Sequence, residues 1–266
     1  MIQHQAAETA DPTETSSILW TARHILGAFS HHRRLMTLSE ISRASGVPKS
    51  TVHRVIARLM EIEAVERHGD GYRIGMSLFA LGSYTPESAL RDIAMPHLEE
   101  LHTRSRQTVH LAVLRGTEVV YLEKLRHPAS TPSPSLVGGR NPAHCTAVGK
   151  VLLAAQDEEE SDRRLRAKLE TRTARTITDP LRLRSQLTGI RAAGIGVERG
   201  EAAAGLACAA VPVSAGGQTV AAVSVAFPAS AGSGEVFHSL LRETAARVSR
   251  SLSAQCTGEW FRSPVH

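Results

Sequence analysis

At 266 residues the chain is long enough for two domains and short for three, and with 42% hydrophobic and 21% charged residues it can bury a core. No run approaches the ~18 apolar residues of a membrane helix, and the polar opening segment 1–15 lacks a secretory signal, so a soluble protein of the cytosol is expected, with no membrane partner. Cys145, Cys208 and Cys256 are widely spaced and lack a C-x-x-C, which argues against a disulfide framework and a thiolate zinc site. The net charge of +5 is uneven: residues 20–60 hold seven Arg or Lys against the single acid Glu40, an excess that suits a polyanion.

In chain order, Ile18, Leu19, Ala22, Ile25, Leu26 and Phe29 recur at helical spacing after Ser16 and Ser17, either of which can cap a first helix. Thr37-Leu38-Ser39-Glu40 has the capping-box form and opens a second helix with Leu38, Ile41 and Ala44 as its apolar stripe. Gly46 turns the chain, and Pro48 suits the start of a third helix. There Val52, Val55, Ile56 and Leu59 share one face, while Lys49, Thr51, His53, Arg54 and Arg58 lie mostly on the other. Residues 64–68 and 72–74 flank Gly69-Asp70-Gly71 and predict a hairpin. Two helices about a tight turn, followed by that hairpin, make a winged helix-turn-helix.

Pro86 marks a boundary. Leu90, Ile93, Ala94, Leu98 and Leu101 then outline a helix, kinkable at Pro96, that would connect two domains. Strands are predicted over 109–114 and 119–123, a loop over 127–142, and helices over 146–155, 158–170 and 180–193. Further strands at 195–199, 206–213 and 220–227 precede a last amphipathic helix over 235–254. Runs of helices and antiparallel strands, without strict alternation, indicate an α+β fold.

These residues resemble a known family. Residues 37–54, from Thr37 to Arg54, are similar to the helix-turn-helix of IclR-type bacterial transcriptional regulators, and Tyr72-Arg73-Ile74-Gly75 resembles the end of their wing. Residues 141–150 and 201–213 resemble signatures of the family's effector domain. The likeness covers about residues 17–254, departing at Glu63, where Gly is usual at the exit of the third helix, and at Ala209, where Ile is commoner. It implies a linker helix used for dimerisation and a C-terminal GAF-like α/β effector-binding domain. It further implies a homodimer or tetramer that regulates a catabolic operon, more often as a repressor, under control of a small organic or aromatic acid. The domains expected are a tail at 1–15, the winged helix-turn-helix at 16–80, the linker at 81–105, the effector domain at 106–255 and a tail at 256–266.

The third helix has the chemistry of a groove reader for double-stranded promoter DNA. Ser50 and Thr51 can bond phosphate or base edges near the helix start. Arg54 can hold guanine O6 and N7 with one fork, and Lys49, His53 and Arg58 suit phosphates. In the hairpin Arg67, His68 and Arg73 suit the minor groove or the backbone. By resemblance the effector site falls on Thr146, Ala147, Val148, Glu198, Cys208 and Ser224. Thr146 opens a helix whose positive end favours a carboxylate, while Glu198 would accept a ligand hydroxyl or pair with His144 or Arg199. Val148, Ala209 and Ala226 would keep the rest of the site apolar.

No cofactor, metal or catalytic residue is expected. His144 adjoins Cys145, but sequence neighbours seldom face one another as base and nucleophile. Gly149-Lys150 lacks the following Ser or Thr and the preceding glycine of a phosphate loop. Among the thirteen histidines, His31, His32, His97, His102 and His110 have no matched ligand set. The rival reading is a metabolite-binding enzyme or thiol-based sensor with a basic interaction domain.

Overall fold

The computed structural model describes residues 17–128, 130–166 and 168–255 and forms two compact units that divide between Thr85 and Pro86. The expected tails at 1–15 and 256–266, together with Ser16 and Cys256, lie outside the described residues.

In the first unit α1 (Ile18–Gly27) is capped by Ser17, whose hydroxyl accepts the Leu19 amide at 3.3 Å. The capping box forms at α2 (Leu38–Ser45): Thr37 accepts the Glu40 amide, and the Glu40 carboxylate accepts the Thr37 amide at 2.8 Å. Gly46 ends α2 in the left-handed region, φ 71°, and α3 (Lys49–Glu61) starts directly after Pro48. Val52, Val55, Ile56 and Leu59 of α3 pack with Ile25, Ile41 and Met36 in one core. The α2 stripe is narrower than its sequence suggests, because Ala44 is exposed.

The wing pairs β1 (Val65–His68) with β2 (Gly71–Ile74), and Met36 adds a third partner by exchanging backbone bonds with Tyr72 at 3.0 and 2.8 Å. Glu63 adopts φ 56°, so the turn that glycine usually makes is made here by a glutamate. The chain leaving the wing passes so close that a Cβ on Gly75 would stand 2.0 Å from the Glu63 carbonyl oxygen. Gly75 is therefore required by close approach rather than by its own dihedral angle. The short helix α4 (Met76–Ser83) follows; it is apolar on all sides and has no amphipathic period by which its sequence could announce it.

The second unit is a six-stranded antiparallel sheet between two helical layers. Its strands are β3 (Thr108–Arg115), β4 (Glu118–Leu125), β5 (Arg140–Pro142), β6 (Gly196–Arg199), β7 (Leu206–Ala215) and β8 (Gln218–Pro228), in the order β5-β4-β3-β8-β7-β6. One face packs on α5 (Pro86–Ser105) and α9 (His238–Gln255). The other packs on α6 (Ala147–Ala154), α7 (Glu158–Leu165) and α8 (Pro180–Ala193). Period-two alternation sorts the side chains: Ala207, Ala209, Val211 and Val213 enter the first layer, and Cys208 and Ala210 the second.

Several sequence expectations change in this unit. The stripe Leu90, Ala94, Leu98 and Leu101, read as a connector, is buried in the core beneath α9. Residues 140–142, expected within a loop, extend the sheet as β5 because Arg140 and Pro142 pair with Val120 and Glu118. The helix expected over 158–170 ends at Leu165. Ala209, assigned to the apolar lining of a ligand site, faces the opposite side of the sheet.

Candidate functional site

The basic face of the first unit is exposed as the helical period requires. Lys49, Ser50, His53, Arg54 and Arg58 face solvent, Thr51 is half-buried, and the four apolar residues of α3 are inside. The side chains differ in what already holds them. Arg58 is paired with Glu61 at 2.9 Å, and Arg73 with Glu66 at 2.8 Å, while the other Glu66 oxygen accepts the Met76 amide at 3.0 Å. Arg67 bonds the Gly69 carbonyl at 3.4 Å across the hairpin tip. Among the described residues, no hydrogen bond or ion pair holds the side chains of Lys49, His53 and Arg54. The three together form an open cationic and donor face at the start of α3.

In the second unit Thr146, Ala147, Val148, Glu198, Cys208 and Ser224 line one cavity of about 20 Å³. The sheet and α6 bring them together. Ladder pairs Glu198↔Cys208 and Ala210↔Ser224 put three of the side chains on adjacent strands at one face, and the first turn of α6 closes over them. Thr146 caps α6, its hydroxyl accepting the Gly149 amide at 3.1 Å, which leaves the Ala147 and Val148 amides without an acceptor inside the helix. A Cβ on Gly149 would stand 2.2 Å from the Ala143 carbonyl oxygen. That contact, and not a phosphate loop, explains Gly149-Lys150. Lys150 is fully buried and pairs with Glu201.

Seven further residues line the cavity: the polar His110, Tyr121, Ser133 and Asn141, with Pro134, Ala202 and Leu206. His110 is the most connected, its ring bonding Ser135 Oγ at 2.7 Å and Ser224 Oγ at 3.3 Å. Burial, with the nearby Lys124 charge, pushes its pKa down to about 3 and keeps the ring neutral. The signal for it was its place in a strand, two positions before Ala112 on the same face. Lys124 ties the segment over the cavity by donating to the carbonyls of Ser133 and Ser135 at 3.0 and 2.6 Å.

Glu198 pairs with neither of the bases considered for it. Arg199 donates to the Ala229 carbonyl at 2.7 Å, and His144 bonds the Glu170 carbonyl at 3.0 Å. Instead Glu198 Oε2 accepts the Glu201 amide at 2.9 Å, and Oε1 is buried with no partner at ordinary hydrogen-bond distance, the Cys208 thiol and the Ala202 amide being the donors that approach the carboxyl. Burial raises its carboxyl to about 7. Burial also pushes the Cys145 thiol up to about 12 and Cys208 well above its ordinary value, so both thiols are protonated and weakly nucleophilic. This chemistry disfavours the thiol-sensor and Cys-His readings. No metal-ligating cluster occurs among the described residues, and none of their helices is long and apolar enough to cross a membrane.

A winged helix-turn-helix with an open basic face, joined in one chain to a sheet domain with a small cavity of mixed polar and apolar lining, is the build of a ligand-responsive DNA-binding regulator. The chain belongs to the IclR family of bacterial transcriptional regulators: the family's helix-turn-helix domain matches residues 22–69 and its C-terminal domain residues 82–250. It is 32% identical to the Pca regulon regulatory protein of Pseudomonas putida over 71% of this chain and 65% of that relative, so the match spans just under two thirds of that protein's length. It is 33% identical to the regulator XynR of Escherichia coli K12, over 71% of this chain and 77% of XynR. In structure it is similar to an IclR homolog from Microbacterium hydrocarbonoxydans complexed with 4-hydroxybenzoate, with a TM-score of 0.83 and 33% identity over 90% of this chain and all of the other.

Proposed function

We propose that this protein is a cytoplasmic homodimeric or tetrameric repressor of an operon for breakdown of a small acid, released from its promoter by an aromatic or short-chain carboxylate. The observation that carries the reading is the convergence of Thr146, Ala147, Val148, Glu198, Cys208 and Ser224 on one small cavity at the first turn of a helix. The amides there suit an anion, the apolar parts of the lining suit a ring, and a structurally similar protein is complexed with 4-hydroxybenzoate. A cavity of about 20 Å³ admits one water-sized body, so an aromatic acid enters only as the lining moves outward. Segment 133–135, held through Lys124 and His110, is the part that yields. The ligand acts by binding one arrangement of the dimer more tightly than the other.

On the DNA side Arg54 reads a base edge, with Ser50 and Thr51 at the helix start and Lys49, His53 and Arg58 on phosphates. Arg67, His68 and Arg73 place the wing. No residue is assigned a catalytic role. Fluorescence anisotropy with the region upstream of the protein's own gene tests this directly. Specific retention over scrambled DNA, release by an acid from a panel of aromatic and short-chain carboxylates, and a logarithmic salt slope of about −0.9 per phosphate contacted are expected. A protein that ignores DNA at low ionic strength with every acid present ends the reading. In thermal-shift assays the same acids should stabilise the wild type and lose that effect in Thr146→Ala and Ser224→Ala; stabilisation intact in both removes the pocket from the proposal.

A further inference from the structure

The cavity contains a charge problem that its own residues answer. No Lys or Arg lines it. The buried ammonium of Lys150 on α6 is already paired with Glu201. Arg172, in the segment after α7, is paired with Glu170 at 3.0 Å, and Arg199 beside Glu198 is turned onto the Ala229 carbonyl. Of the other titratable groups around Glu198, His110 of β3 is kept neutral and His144 is shifted toward its neutral form by burial of their rings. Tyr121 of β4, Cys145, and Cys208 of β7 are kept protonated by burial of a phenol and two thiols. The Glu201 carboxylate adds negative charge that raises Glu198 further. Lys124 holds the segment above the cavity and has no acid partner among the described residues, but its ammonium is turned onto the carbonyls of Ser133 and Ser135. A ligand carboxylate entering this space would meet ionised Glu198 with no cation among the lining residues to balance the pair, a like-charge contact that a low-dielectric site does not tolerate. Glu198 Oε1 is the group with spare capacity. Glu198 is 1% exposed, Oε2 is held by the Glu201 amide, and Oε1 has no partner within ordinary hydrogen-bond distance, although the Cys208 thiol and the Ala202 amide both approach the carboxyl.

Resting on the pocket reading above, we propose that the site binds monocarboxylates together with one proton, which resides on Glu198 Oε1 and turns that oxygen into an O–H donor to the ligand carboxylate. The step is balanced: one proton leaves solvent, the Glu198 carboxylate becomes a carboxylic acid, and the ligand stays an anion shared between that O–H and the amides of Ala147 and Val148. The site thereby selects singly charged acids over doubly charged ones, since a second carboxylate has no proton donor left to meet. Burial places the Glu198 carboxyl at about 7 in the ligand-free protein, so the linked proton is taken up within an accessible pH range.

Isothermal titration of the full-length protein with benzoate, at about pH 6 and about pH 8 in two buffers of different ionisation enthalpy, counts the proton directly. Expected are about one proton taken up per ligand near pH 8, fewer near pH 6, and a Kd that rises roughly tenfold per pH unit once Glu198 is ionised. Glu198→Gln, which keeps the shape and carries a permanent N–H donor, should bind with no proton uptake and no pH dependence. Binding by the wild type near pH 8 without proton uptake overturns the inference and leaves the pocket reading standing. So does binding of 4-hydroxybenzoate but not benzoate, because Glu198 would then be an ionised acceptor for the hydroxyl. Failure of every acid at both pH values overturns both. The wild-type proton count decides even if the glutamine variant does not fold.

Discussion

The face of α3 and the cavity beneath α6 use polar groups in opposite ways. On α3 the polar groups are cations and donors in water, held by little: Lys49, His53 and Arg54 have no partner among the described residues, and Arg58 has only an exposed pair with Glu61. In and around the cavity, the buried Lys150 is neutralised by Glu201, the lining groups His110 and Cys208 are uncharged, and so is the neighbouring Cys145. A solvated cation keeps its charge wherever the backbone puts it, so a surface for a polyanion can be assembled from one helix. A buried group keeps its charge only with a partner, so a site for a small acid must be assembled from many elements and must control its protons.

If the buried charge depends on its partner, removing Lys150 should do the greatest harm. Lys150→Met leaves Glu201 unpaired, with an expected loss of about 3–5 kcal/mol from the second unit in urea unfolding. The double variant Lys150→Met, Glu201→Leu should recover much of it; no recovery would mean that packing, not charge, is what Lys150 supplies. On the exposed face the effect belongs in binding and not in folding. Arg54→Ala should lower discrimination between operator and scrambled DNA by about 1–3 kcal/mol with an unchanged melting temperature. Arg58→Ala, whose charge is already shared with Glu61, should change affinity by only a few-fold.

The cavity should also give stability a pH dependence that the open face does not. His110 has its pKa depressed to about 3, so its contribution is present above about 6.5 and is lost as pH falls toward 3. Glu198 has its pKa raised to about 7, so its contribution is present below about 4.5 and is lost as pH rises through 7. Each limb should have a slope of up to about 1.4 kcal/mol per pH unit, and Glu198→Gln should flatten the upper one in thermal melts. The smallest effect is local: Thr37→Ala removes the cap of α2, with an expected loss of about 1 kcal/mol in the first unit.

Much of the first unit was legible in the chain because its signals are local. The capping box at Thr37, Gly46, the apolar stripe of α3 and the hairpin about Gly69-Asp70-Gly71 each occupy a few consecutive residues, and each forms where its pattern stands. α4 was missed because Met76, Leu78, Phe79 and Leu81 give no period. In the cavity the six residues marked by family resemblance do converge, while the lone His110 and Tyr121 carried no local sign of a site. Their partners, Ser135 and Ser224 for one and Asn141 for the other, are remote in sequence.

From the chain alone came the order of the elements, the cationic front of the third helix and the motifs of the family, since helical period, caps and solvated charge are properties of neighbouring residues. Tertiary structure decided which side chains meet: that Lys150 finds Glu201, that Ala209 turns away from the cavity, and that Glu198 Oε1 is left without a partner. The physical reason is that burial and protonation depend on everything packed around a group, and strand pairing across the sheet brings together residues more than a hundred positions apart, such as His110 and Ser224.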